Sequence, residues 1–582
     1  MSDDRIIPTS QPADLPTMKI FTDGQEISGE YQVFSVVITR AVNKIPAAHI
    51  TLLDGDVAKE DFKISNSEDF LPGKEIEIHA GYHGDEEMIF KGIVTAHALK
   101  SRKNKSSVLS VECKDRTVKM TVGRKSAYYT EMKDSDIIEE ILGEYNLQAE
   151  VEATEVEHKE LIKYACTDWD FMNARAEVNG RLVFVEDGKV SVKKPDTNQK
   201  PVLSLVHGAT MLEFEAQMDA RSQLSAVKCN AWDFSGQELL EEKNGSLSYT
   251  EQGNIDSNKL AETIGLDELS MQHTGRKSEA QLKAWADAVL LKSRLAKIIG
   301  RVRCQGFAGI KPGHMLGLQG VGERFNGVAF VTEVRHQIST KNWETDIQFG
   351  LPAAWFAQKN DFNDLPAAGL LAAVQGLQIG IVTQLGEDPD GEDRVLVRMP
   401  VISTGDDGVW ARIASLDAGK NRGAFFRPEI GDEVVLGFLN ADPTDAVILG
   451  MLNSSAKPAP ITATDDNHEK GFITRSDMKL LFNDEEVSCK IATPNGNTII
   501  LSEGSGSILI EDENGNKIEL NSSGITLKSD GDININAGGD INLEGTNINT
   551  KAEAQFKAEG TSGAEVSSAG TLVVKGSMVQ IN

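Results

Sequence analysis

No stretch of this 582-residue chain approaches 18 consecutive uncharged apolar residues, the least that a membrane-spanning helix needs. Its start, Met1-Ser2-Asp3-Asp4-Arg5, reads as polar chain rather than as a signal peptide. Cysteine is scarce. Cys113, Cys166, Cys229, Cys304 and Cys489 lie far apart without a CxxC, which argues against a disulfide frame or zinc knuckle and for a reducing compartment. Positive charge is in deficit, with 59 Lys and Arg against 88 Asp and Glu, for a net charge of −29. Such a surface repels nucleic acid and anionic lipid, so no nucleic-acid partner is expected.

Catalytic signatures are missing as well. There is no GxSxG, HExxH or Walker loop, and no GxGxxG between a strand and a helix. His79, His83 and Asp85 could be read as metal ligands, but the first sits on an alternating strand and the second in a glycine turn. A solvated hairpin is the better reading. Carboxylate runs such as Asp484-Glu485-Glu486 read as solvated faces in so acidic a chain. No catalytic residue, cofactor or metal is expected.

What is present is a period. From Ile508 onward, a pair of apolar residues two apart recurs nearly every eight residues. The pairs begin Ile508/Ile510, Ile518/Leu520, Ile525/Leu527, Ile533/Ile535 and Ile541/Leu543, and run through Ile548/Thr550, Phe556/Ala558, Ala564/Val566 and Leu572/Val574 to Val579/Ile581. Residues i and i+2 share one face of a strand. Gly, Asn, Asp and Ser supply the corners, as in Asp530-Gly531-Asp532 and Gly538-Gly539-Asp540. Two apolar side chains per strand cannot enclose a core within one chain, but three chains wound about a common axis can. The segment is therefore expected to be a trimeric needle with Ile533, Ile535, Ile541, Leu543, Phe556, Leu572 and Val574 facing inward. A trimer would carry three times −29, or −87. Asp532, Asn534, Asp540 and Asn542 flank the pairs and read as the outer face, since the G-G-x-G-x-D spacing of calcium β-rolls is absent.

Upstream the texture is also β. Residues 31–39 and 75–79 alternate with period two. Helices are expected near 134–145, near 168–178 with a stop at Asn179-Gly180, and over 278–298. In the last, Ser278 and Gln281 fit a capping box and Gly300 marks the end. The segment Pro72-Gly73 … Phe90-Lys91-Gly92-Ile93-Val94-Thr95-Ala96-His97 is echoed by Pro312-Gly313 … Phe325-Asn326-Gly327-Val328 … Val331-Thr332-Glu333-Val334-Arg335-His336. The echo suggests two related barrels, with His97 and His336 as barrel-end residues rather than a pair of bases. From 376 to 452, the runs 377–383, 394–398, 433–438 and 446–450 read as strands of a small closed barrel of the OB type.

At these residues the chain resembles VgrG, the trimeric spike of type VI secretion, and the spikes of related contractile injection particles. The most specific likeness is Arg422-Gly423 with Phe425-Phe426-Arg427-Pro428-Glu429-Ile430-Gly431-Asp432-Glu433-Val434-Val435, similar to the family's P-E-x-G-D-E-V run in the OB barrel. Asp442-Pro443 with Gly450, Thr474-Arg475-Ser476, Ile491-Ala492-Thr493-Pro494-Asn495-Gly496-Asn497 and Asp512-Glu513-Asn514-Gly515-Asn516 continue it into the lead-in of the β-helix. Thr167-Asp168-Trp169-Asp170-Phe171 resembles the tail-hub domain.

The resemblance implies a mainly β protein: tail-hub β-barrels with inserted helices, an OB-fold barrel and a C-terminal trimeric triangular β-helix. It divides the chain into a first hub barrel at 1–125, a helical and mixed segment at 126–200, and a second hub barrel at 201–365. An OB domain at 376–452, a linker at 453–470 and the needle at 471–582 follow. It implies a hub that caps a hexameric inner tube, a PAAR-type tip protein at the needle end, baseplate partners and effector cargo. The target membrane is met only in passing. Assembly in the bacterial cytoplasm and delivery outside the cell would follow. At about 4.8 Å per strand layer, ten repeats span about 50 Å, against a bilayer core of about 30 Å. An enzyme-bearing spike that degrades cell wall needs a catalytic insert, for which 453–470 leaves no room, and a phage tail fibre would not carry hub and OB features. Purified protein is accordingly expected to leave peptidoglycan uncleared. Clearing that disappears when one carboxylate is substituted would refute this reading, whereas a contaminating hydrolase would survive the substitution.

Overall fold

Period-two alternation drives one face of each N-terminal strand into a core. In Gln32–Ala41 the buried positions include Val36 and Ile38, and in Glu75–Tyr82 they include Ile76 and Ile78. The computed structural model describes residues 15–103, 105–358 and 362–581. The polar start at 1–5 lies outside them. The chain divides into two compact units, Met1–Gln375 with Asn440–Pro443, and Gly376–Leu439 with Thr444–Asn582. No helix among the described residues is long and apolar enough to cross a membrane.

The first unit is built on one 13-stranded sheet. Its main path runs Glu213–Met218, Ile298–Gln305, Trp343–Phe349, Gly327–Ser339, Gln32–Ala41, Ala47–Leu53, Lys105–Lys114, Asp85–Arg102, Glu75–Tyr82, Pro16–Thr22. Two cores line it. One gathers Ile38, Ile50, Ile78, Val111 and Trp343, and the other Leu205, Val302, Leu318, Ile347 and Phe349. The two barrels expected at 1–125 and 201–365 are thus not separate sheets. Gln32–Ala41 pairs antiparallel with Gly327–Ser339, from Ser35↔Ser339 to Ala41↔Glu333. Each half would otherwise leave a strand edge of unpaired backbone groups, and joining the edges satisfies both.

The sequence echo has a backbone counterpart. The Gly73 N–H donates to Val94 O at 2.8 Å, Val94 N–H to Lys74 O at 2.9 Å and Lys74 N–H to Leu71 O at 3.1 Å. In the second half, Gly313 N–H donates to Val331 O at 2.8 Å, Val331 N–H to His314 O at 2.9 Å and His314 N–H to Lys311 O at 3.2 Å. Gly73 and Gly313 both hold positive φ, 101° and 90°, which favours glycine at each. The pairing slips by one residue at Thr95 and at Thr332 alike, and both hydroxyls donate to a carbonyl of the next strand, Glu112 O and Gln348 O. The two halves share one local design. The histidines diverge. His97 is half-buried between Ser65 Oγ and Phe70 O, whereas His336 is fully enclosed in mid-sheet beside Thr345, not at a barrel end. Burial pushes the His336 pKa down to about 3, so the ring is neutral.

Between the halves, helices Asp134–Glu144 and Asp168–Val178 pack on a core of Ile137, Ile141, Trp169, Met172 and Val183. Thr167 caps the second helix by accepting the Asp170 N–H. The long helix carries the expected capping box of Ser278 and Gln281, but it spans Glu279–Leu295 and stops short of 298. Gly300 is not its cap. It lies in the strand Ile298–Gln305, where an added Cβ would stand 2.5 Å from Glu215 O and 2.6 Å from the Phe349 ring. The glycine answers a close strand approach rather than a helix end.

Asp134 ties this segment together. Its carboxylate accepts from Arg175 Nε at 2.6 Å, Arg175 Nη2 at 2.9 Å and Asn179 Nδ2 at 2.8 Å, with His158 Nε2 at 3.0 Å. Burial alone would raise its pKa, but the hydrogen bonds from His158, Arg175 and Asn179 outweigh it and hold the carboxyl well below the usual range. A depressed folded pKa gives stability that is present above the unfolded value of about 3.9 and lost as pH falls toward the folded one. Asp134→Asn should therefore lower stability at pH 7 by roughly 3 kcal/mol and flatten the loss of melting temperature below about pH 4. Thermal melts from pH 7 to pH 2 check both, and an unchanged acid limb would contradict the assignment.

Candidate functional site

Alternation in the second unit leaves an apolar face that the described residues do not cover. Seven strands, Glu469–Ile473, Lys479–Asn483, Ser488–Ala492, Thr498–Ser502, Ser507–Glu511, Lys517–Asn521 and Gly524–Lys528, form an antiparallel meander in sequence order. Register aligns their i and i+2 residues into two unbroken rows. One is Phe482↔Cys489↔Leu501↔Ile508↔Leu520↔Ile525, and the other is Leu480↔Ile491↔Ile499↔Ile510↔Ile518↔Leu527. Directly opposed apolar pairs stabilise a sheet, yet Ile499 and Ile518 remain 39% exposed and Ile525 76%. Two shallow grooves of 790 and 610 Å³ follow the rows. Leu480 and Ile491, with Phe472 before them, show that the stripe starts well ahead of Ile508. The pairs Leu480/Phe482, Cys489/Ile491 and Ile499/Leu501 carried the same i, i+2 signal, at a longer period.

Beyond Lys528 the described residues contain no regular strand. Ile533, Ile535, Ile541, Leu543, Phe556, Leu572 and Val574 all stand exposed in the single chain, between 49% and 75%. The spacing changes near the same place. Meander strands begin 9 or 10 residues apart until the last step of 7 into Gly524–Lys528, enough for five strand residues and a reversing turn. From there on the pairs read in the sequence begin 7 or 8 residues apart.

The Pro428–Glu433 run proves to be a fastening. Five strands, Gln378–Gln384, Val395–Arg398, Val409–Ile413, Ala446–Met451 and Glu433–Phe438, close into a barrel over Val382, Val397, Ala411, Val434, Leu436 and Ile448. The strand Val409–Ile413 was not among those read from sequence, although its alternation was there to read. Gly431 N–H donates to Val382 O at 2.8 Å and Val382 N–H to Asp432 O at 3.0 Å, which seals the barrel at this point. Gly431 takes φ of 87°, and Asp432 Oδ2 accepts the Glu429 N–H at 2.8 Å to close the turn after Pro428. The charges then reach outward. Glu429 accepts from Arg475 Nη1 at 2.7 Å, and Asp432 Oδ1 accepts from Lys457 Nζ at 3.2 Å. Arg475 and Lys457 belong to the lead-in and the linker, so Glu429 and Asp432 hold both to the barrel, while Glu433 opens the closing strand.

Phe426 extends the apolar stripe onto the barrel by stacking on Phe472, with centroids 5.0 Å apart and planes at 9°. A 930 Å³ cleft beside it is lined by Leu416, Phe425, Leu449 and Met451, with Phe425 and Leu416 the most exposed. Elsewhere, His79 edges onto Phe21 and lies near Glu77, and His83 occupies the turn before Asp85 with φ of 55°. Among the described residues no group of three or more His, Cys, Asp or Glu is placed to hold a metal ion. All five cysteines are free, and four are buried. Burial pushes the thiols of Cys113, Cys229 and Cys304 up to about 12.

The profile of the Alg8 N-terminal domain matches residues 12–340. That of the type VI secretion system/phage-baseplate injector OB domain matches residues 378–452. No curated protein matches the sequence. Among solved structures, the chain is similar to the 43 kDa tail protein of prophage MuSo2 from Shewanella oneidensis, with 12% identity and a TM-score of 0.43, covering 58% of this chain and 97% of that one. It is also similar to the E. coli c3393 protein, a component of the type VI secretion system, with 13% identity and a TM-score of 0.37 over 75% of this chain and 100% of that one. A third similarity is to a chain of the Francisella PdpA-VgrG complex, with 10% identity and a TM-score of 0.36 over 88% and 80%.

Gly431→Ala should cost about 1–2 kcal/mol by forcing a side chain into the left-handed region. Glu429→Gln, losing one exposed ion pair, should cost about 0.5 kcal/mol. Denaturant midpoints of the two variants check the ranking, and the reverse order would show that the charge, not the turn, carries the motif.

Proposed function

The chain belongs to the family defined by the Alg8 N-terminal domain, and we propose, from its injector OB domain and its apolar rows, that it is the structural spike of a contractile injection system. The injector OB match at 378–452 supports the same reading. The observation that carries it is the pair of apolar rows from Leu480 and Phe482 to Leu527 and Ile525, continued as i, i+2 pairs to Val579/Ile581. A stripe this long, two residues wide and exposed along its length, needs an apolar partner of equal length and period. A second and third copy of the same chain supply it.

In this proposal three stripes meet on one axis and form a triangular β-helix. The end of the meander at Lys528 is where, in this reading, each chain stops folding back on itself and winds around its neighbours. Backbone groups left unpaired in one chain then find partners between chains, and the assembly presents few free edges. Three chains, each with two related halves at Gly73 and Gly313, would offer six similar units to a hexameric inner tube. A PAAR-type tip protein, baseplate proteins and effector cargo are the further partners proposed. The role is mechanical. The spike assembles in the bacterial cytoplasm, is delivered outside the cell, and the needle punctures the target membrane without catalysis.

Mass photometry at micromolar concentration should show a trimer, and a folded monomer would sink the proposal. Ile541→Asp should place three carboxylates on an apolar axis, at roughly 10 kcal/mol per trimer. Asn542→Asp, one residue along and facing water, should leave the melting temperature of the trimer nearly unchanged. If Asn542→Asp proves the damaging change, the inward register is wrong by one.

A further inference from the structure

One short region reverses the charge of the whole chain. Residues 88–125 hold ten Lys and Arg against two Asp and Glu, a net of +8, so the rest of the chain carries −37. Toward the C-terminal end of this region the charge is largely neutralised. Arg116 pairs with Glu75, and Lys125 with Glu144 and Asp168. At the tip of the hairpin formed by Asp85–Arg102 and Lys105–Lys114 it is not. Lys100, Arg102, Lys103 and Lys105 are exposed, and none has an ion-pair partner among the described residues. Nothing acidic lies between Glu87 and Glu112 in sequence.

The backbone there is also open. Glu75–Tyr82 flanks the longer strand only as far as Ile93, with Val94 held by Lys74. Among the described residues, no strand lies beside that edge from Thr95 to Arg102, a length of about 26 Å at 3.3 Å per residue. Ser65 and Phe70 cover it at His97, and from Ala98 onward every residue of the strand is exposed. Ser107 Oγ donates to Ser101 Oγ at 2.9 Å across the hairpin, and Lys100, Arg102 and Lys105 lie on its paired strands.

We propose that this hairpin tip is a docking element for a carboxylate-rich segment of a partner protein. Lys100, Arg102, Lys103 and Lys105 meet its acidic side chains, and the free edge of Ala98–Arg102 is open to its backbone by strand addition. Charge complementarity selects the partner's chemistry. A long polyanion such as DNA, or an anionic bilayer, would face the −37 of the remaining chain as well as the tip. A short acidic segment meets the tip alone, because the surrounding charge is screened over about 8 Å at physiological salt. The proposal is independent of the needle and its trimer.

The test uses the full-length protein and a fluorescent 15-residue polyglutamate peptide, read by anisotropy at 50 and 200 mM NaCl. The wild type should bind, and the fourfold variant Lys100→Ser, Arg102→Ser, Lys103→Ser, Lys105→Ser should bind at least tenfold more weakly. Lys100→Arg with Lys103→Arg and Lys105→Arg should retain binding, and the wild-type affinity should fall severalfold at the higher salt. Mass photometry on the same samples separates this result from the spike reading, since all variants should share one oligomeric state. No binding, equal binding by the fourfold variant, or tighter binding to a 20-base-pair duplex or to vesicles with 30% phosphatidylserine would each overturn the proposal.

Discussion

A strand that presents only two apolar side chains on one face cannot hide them with its own chain. That constraint governs the second unit from Leu480 to the C-terminus. Opposed pairing lines the side chains up, from Cys489 beside Phe482 to Leu527 beside Ile518, and so makes the exposed stripe continuous rather than scattered. Scattered apolar residues on a surface need no explanation, but a continuous stripe does. The same regularity that makes the stripe costly in isolation makes it suited to self-association, because every copy offers the same spacing to the next.

The first unit meets the opposite problem and solves it within one chain. Strands such as Gln32–Ala41 and Trp343–Phe349 bury four or more residues each, and each half builds a core of its own around Ile38 and Ile78 or around Val302 and Ile347. What remains exposed is backbone, at the edge of Gln32–Ala41 and the edge of Gly327–Ser339. Their union over Ser35–Ala41 makes one sheet of two halves. The repeated turn at Gly73 and Gly313, with the same three hydrogen bonds and the same slip of register, indicates that the halves follow one plan. The plan has diverged in detail. His97 stays hydrogen-bonded at the margin of its core, whereas His336 is buried and neutral.

Polar groups in this protein act mainly as fasteners. Asp134 gathers Arg175 and Asn179 from one helix and its cap and His158 from a strand, and Glu429 with Asp432 secures Arg475 and Lys457 to the barrel. A carboxylate at such a junction specifies which segments meet, a role that apolar packing cannot perform with equal selectivity.

Local pattern was legible from the sequence, and distant partnership was not. The i, i+2 pairs from Ile508, the capping box at Ser278 and Gln281, the closing strand Glu433–Phe438 and the echo at Pro72-Gly73 and Pro312-Gly313 all depend on residues close in the chain, where alternation and turn chemistry act directly. The junction of Gln32–Ala41 with Gly327–Ser339 joins residues some 300 positions apart, and no local preference names that partner. Gly300 shows the same limit. A glycine after a helical stripe reads as a cap, and only the approach of Glu215 and Phe349 reveals why it is there. The Pro428–Glu433 run was visible as a motif, but its work of holding Lys457 and Arg475 depends on segments that the tertiary fold brings back to it.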